Sequence, residues 1–176
     1  MKRALWVGIG LIGVVVCLAV PRRASEAEDR AAFSGSFTVT LKSPADRALH
    51  LFDPVGEAAW AQGWAPEFAR EADRTSLADG TVFTTRGAGG AVTTWVLQRY
   101  DRAAHEIAYT VYKPDGVVVA IHITVRDAAA GGSAAVVRYD LVATTAEGDR
   151  HVRDYATTFP HMAPHWQAAL DAMPAR

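Results

Sequence analysis

Four long segments in which apolar and polar residues alternate lie between residues 91 and 145, with only short turns between them. Such alternation is typical of a strand with one face in a core and the other in solvent. Residues 117–127 show it most clearly, because every second position is Val119, Ile121, Ile123 or Val125. Consecutive strands joined by short turns pair in antiparallel order. The sequence therefore predicts an antiparallel meander with one apolar face and one solvated face.

Two shorter segments extend the strand pattern. Residues 81–86 are joined to the meander by Gly87–Gly90, a glycine-rich hairpin signal. Residues 34–42 alternate in the same way and predict an opening strand. A short helix is expected after this strand, and it has to end before Pro54.

The end of the chain has helical periodicity instead. Its apolar residues recur at steps of three and four, which predicts a long C-terminal helix with one apolar face. Pro160 and Pro164 interrupt this pattern, so we expect a kink or a break between Phe159 and Pro164. The apolar face consists of Val152, Tyr155, Ala156, Phe159, Met162, Ala163, Trp166, Leu170 and Met173.

The start of the chain resembles a membrane or export signal. Two basic residues precede Ala4–Val20, an uncharged run that is long for a signal peptide and short for a transmembrane helix. A cleaved signal and a retained apolar helix therefore both stay open. We divide the chain into residues 1–23 as signal peptide or membrane anchor, 24–32 as a tether and 33–174 as one domain. We expect this domain to be exported or membrane-anchored, on the periplasmic side of the cell envelope.

Charge and motifs argue against several functions. The net charge is −1 and the body of the chain has no basic cluster, so we expect no nucleic-acid partner. Cys17 is the only cysteine, and Gly87–Gly90 lacks the spacing of a phosphate-binding loop, so we expect no cofactor. His161 and His165 have the spacing of two metal ligands on a helix, but Pro164 lies between them. We expect surface histidines here and no metal site.

The order of the elements resembles the helix-grip fold of the START-like, or SRPBCC, superfamily, which includes polyketide cyclases, and above all its bacterial members of unassigned function. The resemblance covers about Phe33–Met173 and is carried by FTVTLKSPADRALHLFDPVGEAAWAQGW, GTVFTT, TTWVLQRYDRAAHEIAYTV, VVRYDLVATTAEG and HWQAALDAM. It implies an α+β fold in which a curved antiparallel sheet wraps around a long C-terminal helix, here preceded by an N-terminal apolar helix. It also implies a cavity between sheet and helix for a hydrophobic or lipid-like molecule. We further expect the domain to be a monomer.

The resemblance and the alternation together give candidate ligand-binding residues. Tyr109, Tyr139 and Arg99 are the polar-tipped side chains that we expect to reach the cavity from the sheet. Glu57 and Glu67 lie in loops or short helices, where a solvated charge is expected. The predicted cavity lining and lid consist of Trp60, Trp64, Trp95, Tyr109, Ile121, Tyr139, Phe159, Met162 and Trp166.

Trp60 and Trp64 lie in a segment that Gly63 and Pro66 prevent from forming a long helix. Large aromatic side chains on irregular backbone suit a lid over a cavity mouth. They suit equally a plug that closes the end of the core. The sequence leaves both roles open.

Three functions are compatible with this sequence. The first is binding of a hydrophobic small molecule in the cavity. The second is catalysis of the cyclase or hydrolase type in the same cavity, although no nucleophile motif is present and whether the domain is an enzyme stays open. The third is a co-chaperone-like interaction with another protein. Fold alone does not choose among them.

Overall fold

A seven-stranded antiparallel sheet dominates the computed structural model, which describes residues 29–128 and 131–173. The strands lie in the order β1-β7-β6-β5-β4-β3-β2. The predicted meander is thus confirmed, and the opening strand pairs with the last one. The strands are β1 (Ala32–Leu41), β2 (Glu67–Phe68), β3 (Val82–Arg86), β4 (Val92–Asp101), β5 (Glu106–Tyr112), β6 (Val117–Asp127) and β7 (Ser133–Ala143).

Short helical turns connect β1 to β3. The helix α1 (Ala45–Ala48) runs directly into a 3₁₀ turn, Leu49–Phe52, and a second 3₁₀ turn covers Gly56–Ala59. The backbone N–H of Ala45 donates to Asp127 Oδ1 at 2.7 Å, so a carboxylate of β6 caps the first of these turns. Two further 3₁₀ turns lie at Glu71–Arg74 and Ala88–Gly90.

The C-terminal helix is interrupted, as its prolines predict. The helix α2 (Ala146–Thr158) ends in a 3₁₀ turn, Phe159–His161, and α3 (Met162–Asp171) follows without a gap. Thr145 is the N-cap of α2, and its Oγ1 accepts from the N–H of Gly148 at 2.9 Å. The two helices pack against β1 and β7 on the apolar face of the sheet.

One row of inward-facing residues crosses the middle of the sheet. Leu97, Tyr109, Ile121, Tyr139 and Gly35 lie side by side on β4, β5, β6, β7 and β1. A Cβ on Gly35 would lie 2.6 Å from Cε1 of Phe159, so the missing side chain leaves room for that ring. The row therefore ends under the helix at β1 and brings two tyrosines to the inner face.

A bulge changes the face of one predicted residue. The pairing of β4 with β5 shifts register between Leu97 and Arg99, and the inserted residue reverses the alternation beyond it. Leu97 stays buried, whereas Arg99 is exposed and forms ion pairs with Asp101 and Glu106. The prediction that Arg99 reaches the cavity is therefore wrong.

The ordered domain includes the last residues of the predicted tether. The N–H of Ala31 donates to Asp149 Oδ1, and the Arg30 guanidinium pairs with the same carboxylate, both at 2.8 Å. The predicted N-terminal apolar helix lies outside the described residues. Within residues 29–128 and 131–173, no helix has the length and apolar character needed to cross a membrane.

Candidate functional site

The apolar face of the sheet is not filled completely by the helices. A cavity of about 670 Å³ remains between the inner face of β4–β7, the Gly56–Ala59 turn with the residues after it, and α3. Ala59, Gln62, His165 and Ala172 line it and are exposed, so they mark its mouth. The other lining residues are Glu57, Trp60, Ala61, Trp64, Trp95, Tyr109, Ile121, Ile123, Tyr139, Trp166, Ala169 and Met173.

Two pairs of tryptophans form much of the wall. The ring of Trp60 lies edge-on against Trp166 of α3, with centroids 4.9 Å apart. The ring of Trp64 lies edge-on against Trp95 of β4, at 5.1 Å. Edge-to-face contacts at these distances contribute free energy beyond that gained from the apolar area they bury. The loop tryptophans therefore bridge the loop to both the helix and the sheet.

Hydrogen bonds fix both loop tryptophans to the preceding turn. The indole N–H of Trp60 donates to the carbonyl of Leu51 at 2.6 Å, and that of Trp64 donates to the carbonyl of Pro54 at 2.8 Å. A buried indole N–H without a partner would cost free energy, so these bonds favour one orientation of each ring. These two hydrogen bonds hold the segment that covers the cavity in one conformation.

Asp53 organises the backbone of this segment. It is only 1% exposed, and its Oδ1 accepts from the N–H groups of Val55 and Gly56 at 2.9 and 2.8 Å. Its Oδ2 accepts from the hydroxyl of Tyr100 at 2.9 Å and contacts Nδ1 of His50 at 2.6 Å. A Cβ on Gly56 would lie 1.7 Å from the carbonyl oxygen of His50, so only glycine fits this close turn.

Three ionisable side chains, Glu57, Tyr109 and Tyr139, line the inner walls. Glu57 lines the cavity, and burial, with the nearby Asp53 carboxylate as a second cause, raises the pKa of the Glu57 carboxyl well above its ordinary value. Burial likewise raises the pKa of Tyr109 and of Tyr139, and the charge of Glu57 adds to both shifts. The hydroxyl of Tyr109 donates to the carbonyl of Phe52 at 2.9 Å. The cavity therefore holds an acidic polar region in an aromatic wall.

The structure brings most of the predicted ligand-binding residues to one cavity. Seven of the nine line it, namely Trp60, Trp64, Trp95, Tyr109, Ile121, Tyr139 and Trp166. Phe159 and Met162 do not. Phe159 packs instead against Phe33 and Phe37 of β1, with centroids 4.9 and 5.8 Å apart, because the 3₁₀ turn that contains it lies over Gly35.

Sequence reasoning missed the most polar part of the site. Glu57 was expected to be solvated, but it is half-buried and faces the cavity because the Asp53 turn directs the Gly56–Ala59 segment inward. His165 also lines the mouth. A signal was present in the short spacing of Asp53, Gly56 and Glu57, which is typical of a side-chain-capped turn.

No cluster of three metal-ligating side chains occurs among the residues that the structure describes. His161 lies in the 3₁₀ turn and is exposed, and His165 lies in α3 at the cavity mouth. Their four-residue spacing spans the junction of two helical segments, so the two side chains do not lie on one regular helix face.

A curved antiparallel sheet that encloses a C-terminal helix and a cavity is the helix-grip fold of START-like, or SRPBCC, proteins. Solved structures with this fold are similar to the chain over most of its length. The aromatase/cyclase ZhuI from Streptomyces sp. R1128 has 19% identity and a TM-score of 0.57 over 80% of this chain and 94% of that one. No family model matches the chain, and no curated protein matches it either.

Two further solved structures have the same fold. Truncated norcoclaurine synthase from Thalictrum flavum has 12% identity and a TM-score of 0.59, over 81% of this chain and 92% of that one. Ara h 8.0201 has 14% identity and a TM-score of 0.57, over 81% of this chain and 99% of that one. Identities this low establish the fold and leave the function to the site itself.

Proposed function

We propose that the protein binds a hydrophobic small molecule in the cavity between the sheet and α3. The observation that carries this proposal is the cavity of about 670 Å³ walled by six aromatic side chains and only a few polar groups. Small-molecule sites are typically clefts of roughly 300–1,000 Å³ with apolar walls and a small number of polar groups. The size and the lining of this cavity fit that class.

The chain offers a matched pair of variants for a test. Ala169 lines the cavity and Ala168 is its exposed neighbour on α3. Phenylalanine at position 169 therefore takes up part of the cavity, whereas phenylalanine at position 168 points away from it. N-phenyl-naphthylamine, a neutral dye that fluoresces in apolar surroundings, serves as the probe. We expect saturable binding to the wild type and to Ala168→Phe, and binding weaker by about tenfold or more to Ala169→Phe. Absence of saturable binding, or equal binding by both variants, would contradict the proposal.

A second candidate function is catalysis in the same cavity. The observation in its favour is that Glu57 has a raised pKa and lies close enough to Tyr109 and Tyr139 for its charge to affect both. Acidic groups with raised pKa values in clefts are candidates for general acids or bases. Native mass spectrometry of the purified protein identifies any ligand that co-purifies. Conversion of that ligand by the wild type but not by Glu57→Gln would favour the enzyme, and recovery of the unchanged ligand would favour binding alone.

We also propose that the domain works outside the cytoplasm or at the membrane surface. The support is the uncharged run Ala4–Val20 ahead of the domain. Alkaline washing of membranes from cells that express the full chain distinguishes the two forms. An anchored protein stays with the membrane at full mass, whereas a cleaved one is released with a shorter mass. A full-length protein in the cytoplasmic fraction would contradict the proposal.

A further inference from the structure

The described side chains that line the cavity include acidic groups but no lysine or arginine. Of the described residues that line the cavity, the ionisable ones are Glu57, Tyr109, Tyr139 and His165, and none is Lys or Arg. His165 is exposed at the mouth, so the inner wall holds an acid and two phenols without a cationic side chain. A carboxylate or phosphate ligand would meet no opposite charge there and would lose its hydration, which is costly.

A second carboxylate lies behind the first. Asp53 is almost completely buried, and its charge acts on Glu57, Tyr100 and Tyr109. The imidazole of His50 contacts Asp53 from the solvent side, where its side chain is 59% exposed. The two carboxyl groups together make the inner end of the cavity favourable for positive charge.

The carboxyl of Glu57 also has no side-chain partner in the described part of the chain. The hydrogen bonds of the neighbouring turn converge on Asp53 instead, and those of the two tryptophans go to backbone carbonyls. Glu57 is half-buried, so its carboxyl loses part of its hydration without gaining a side-chain partner, and this costs free energy. A ligand that supplied a cation would remove that cost.

The aromatic walls favour the same sign of charge. Six aromatic side chains line the cavity, and four of them are tryptophans. The face of an aromatic ring carries negative charge density, and tryptophan attracts cations most strongly. Rings grouped around an ammonium ion are a common way for proteins to bind organic amines.

From these observations we infer that the ligand is an apolar molecule with one protonated amine, whose ammonium group lies against Glu57 and the rings of Tyr109 and Tyr139. The inference rests on the proposed function, because it specifies the class of molecule that the cavity takes. The apolar part of the ligand lies among the tryptophans. The ammonium group pairs with the ionised Glu57 carboxylate. Because burial favours the protonated form of Glu57 in the empty cavity, binding of the amine is coupled to proton release.

Three probes that share one ring system separate the charge from the apolar part. Naphthylethylamine is a cation at neutral pH, naphthylethanol is neutral and naphthylacetate is an anion. Isothermal titration calorimetry of the full-length protein with each probe gives the affinities. Repeating the amine titration in buffers of different ionisation enthalpy gives the number of protons released.

We expect the amine to bind about tenfold more tightly than the alcohol, the acetate to bind most weakly, and the amine to release protons. In Glu57→Gln the ratio of amine to alcohol affinity should fall by about tenfold, and the proton release should disappear. Glu67→Gln is the matched control, because it removes an exposed glutamate outside the cavity, and it should keep the wild-type ratio.

The outcomes separate this inference from the proposal on which it rests. If naphthylethanol binds as tightly as the amine, Glu57 acts as a neutral hydrogen-bond donor and the inference is wrong, although a cavity ligand remains. Tightest binding of the acetate would overturn it as well. If neither N-phenyl-naphthylamine nor any of the three probes binds, the proposed function itself fails.

Discussion

Trp60 of the covering loop and Trp166 of α3 are in edge-to-face contact, with their ring centroids 4.9 Å apart. Trp166 also packs against Phe37 of β1 at 5.2 Å, so one ring of the helix joins the loop to the sheet. Trp60 is held on its other side by its hydrogen bond to Leu51. The two roles that the sequence left open, lid and plug, now differ in a measurable way, because a lid residue affects ligand release more than it affects folding.

We expect Trp60→Ala to lower the free energy of unfolding by about 2 kcal/mol, less than the roughly 3–5 kcal/mol typical of a core aromatic residue, because Trp60 is only half-buried. The same change should speed release of N-phenyl-naphthylamine, since it opens the cavity wall. Urea unfolding and stopped-flow fluorescence measure the two effects. Phe83→Ala, at a fully buried position, is the core control. A stability loss as large as that of Phe83→Ala, with release unchanged, would identify Trp60 as a plug.

The turn around Asp53 gives a second prediction. Asp53→Ala leaves the N–H groups of Val55 and Gly56 and the hydroxyl of Tyr100 without their acceptor, so we expect a loss of about 3 kcal/mol in the free energy of unfolding. Tyr100→Phe removes only one donor and should cost about 1 kcal/mol. Urea unfolding compares the two variants, and hydrogen exchange at Val55 and Gly56 reports on the turn directly. Equal losses in the two variants would show that Asp53 does not organise this turn.

Much of the fold follows from periodicity in the sequence. Strands β3 to β7 are long enough for alternation to appear, and their order follows from the short turns between them. The two-residue strand Glu67–Phe68 is too short to show a period, and the bulge between Leu97 and Arg99 breaks the period without any marker residue. The C-terminal helices were predictable, with their break, because proline acts locally.

The site was only partly predictable, for a different reason. Aromatic residues on inward-facing strand positions, such as Tyr109 and Tyr139, can be assigned to an inner face from alternation alone. The apolar stripe of the C-terminal helices does not show which of its members face the cavity. In the structure Phe159 is buried in the core, whereas Trp166 lines the cavity. The environment of Glu57 depends on Asp53 and on strands far away in sequence, and local pattern carries no information about that.

The break in the C-terminal helix gives a third prediction. Phe159 packs against Phe33 on one side of the turn and Trp166 packs against Phe37 on the other, so the bend is required by contacts at both ends. Alanine at Pro160 and Pro164 would free the unfolded chain without improving these contacts, and we expect a loss of about 0.5–1 kcal/mol for each. Thermal or urea unfolding of the single and double variants measures it. An increase in stability would mean that a continuous helix fits the sheet better than the broken one.

The last prediction concerns pH and Glu57. The pKa of its carboxyl is raised above the ordinary value of 4.5, first by burial and then by Asp53, so the folded protein holds this proton more tightly than the unfolded chain does. The contribution of this proton to the free energy of unfolding is fully present below pH 4.5 and is lost as the pH rises through the raised pKa of Glu57. Glu57→Gln cannot ionise, so the difference in unfolding free energy between this variant and the wild type should grow in favour of the variant across that range.

Glu67→Gln is a control that removes the same charge, but its effect on stability should change with pH in the opposite direction. The hydrogen bond of Glu67 to Arg86 lowers the pKa of its carboxyl, so the ionised form is favoured in the folded protein. Glu67→Gln should therefore lose stability relative to the wild type as the pH rises through that lowered pKa towards 4.5, and only slightly, because this pair is exposed to solvent. Urea unfolding of the ligand-free proteins over a series of pH values measures both slopes. If the difference in unfolding free energy between Glu57→Gln and the wild type stays constant with pH, the carboxyl of Glu57 is solvated in the folded protein. The interpretation of the inner wall of the cavity as acidic would then be wrong.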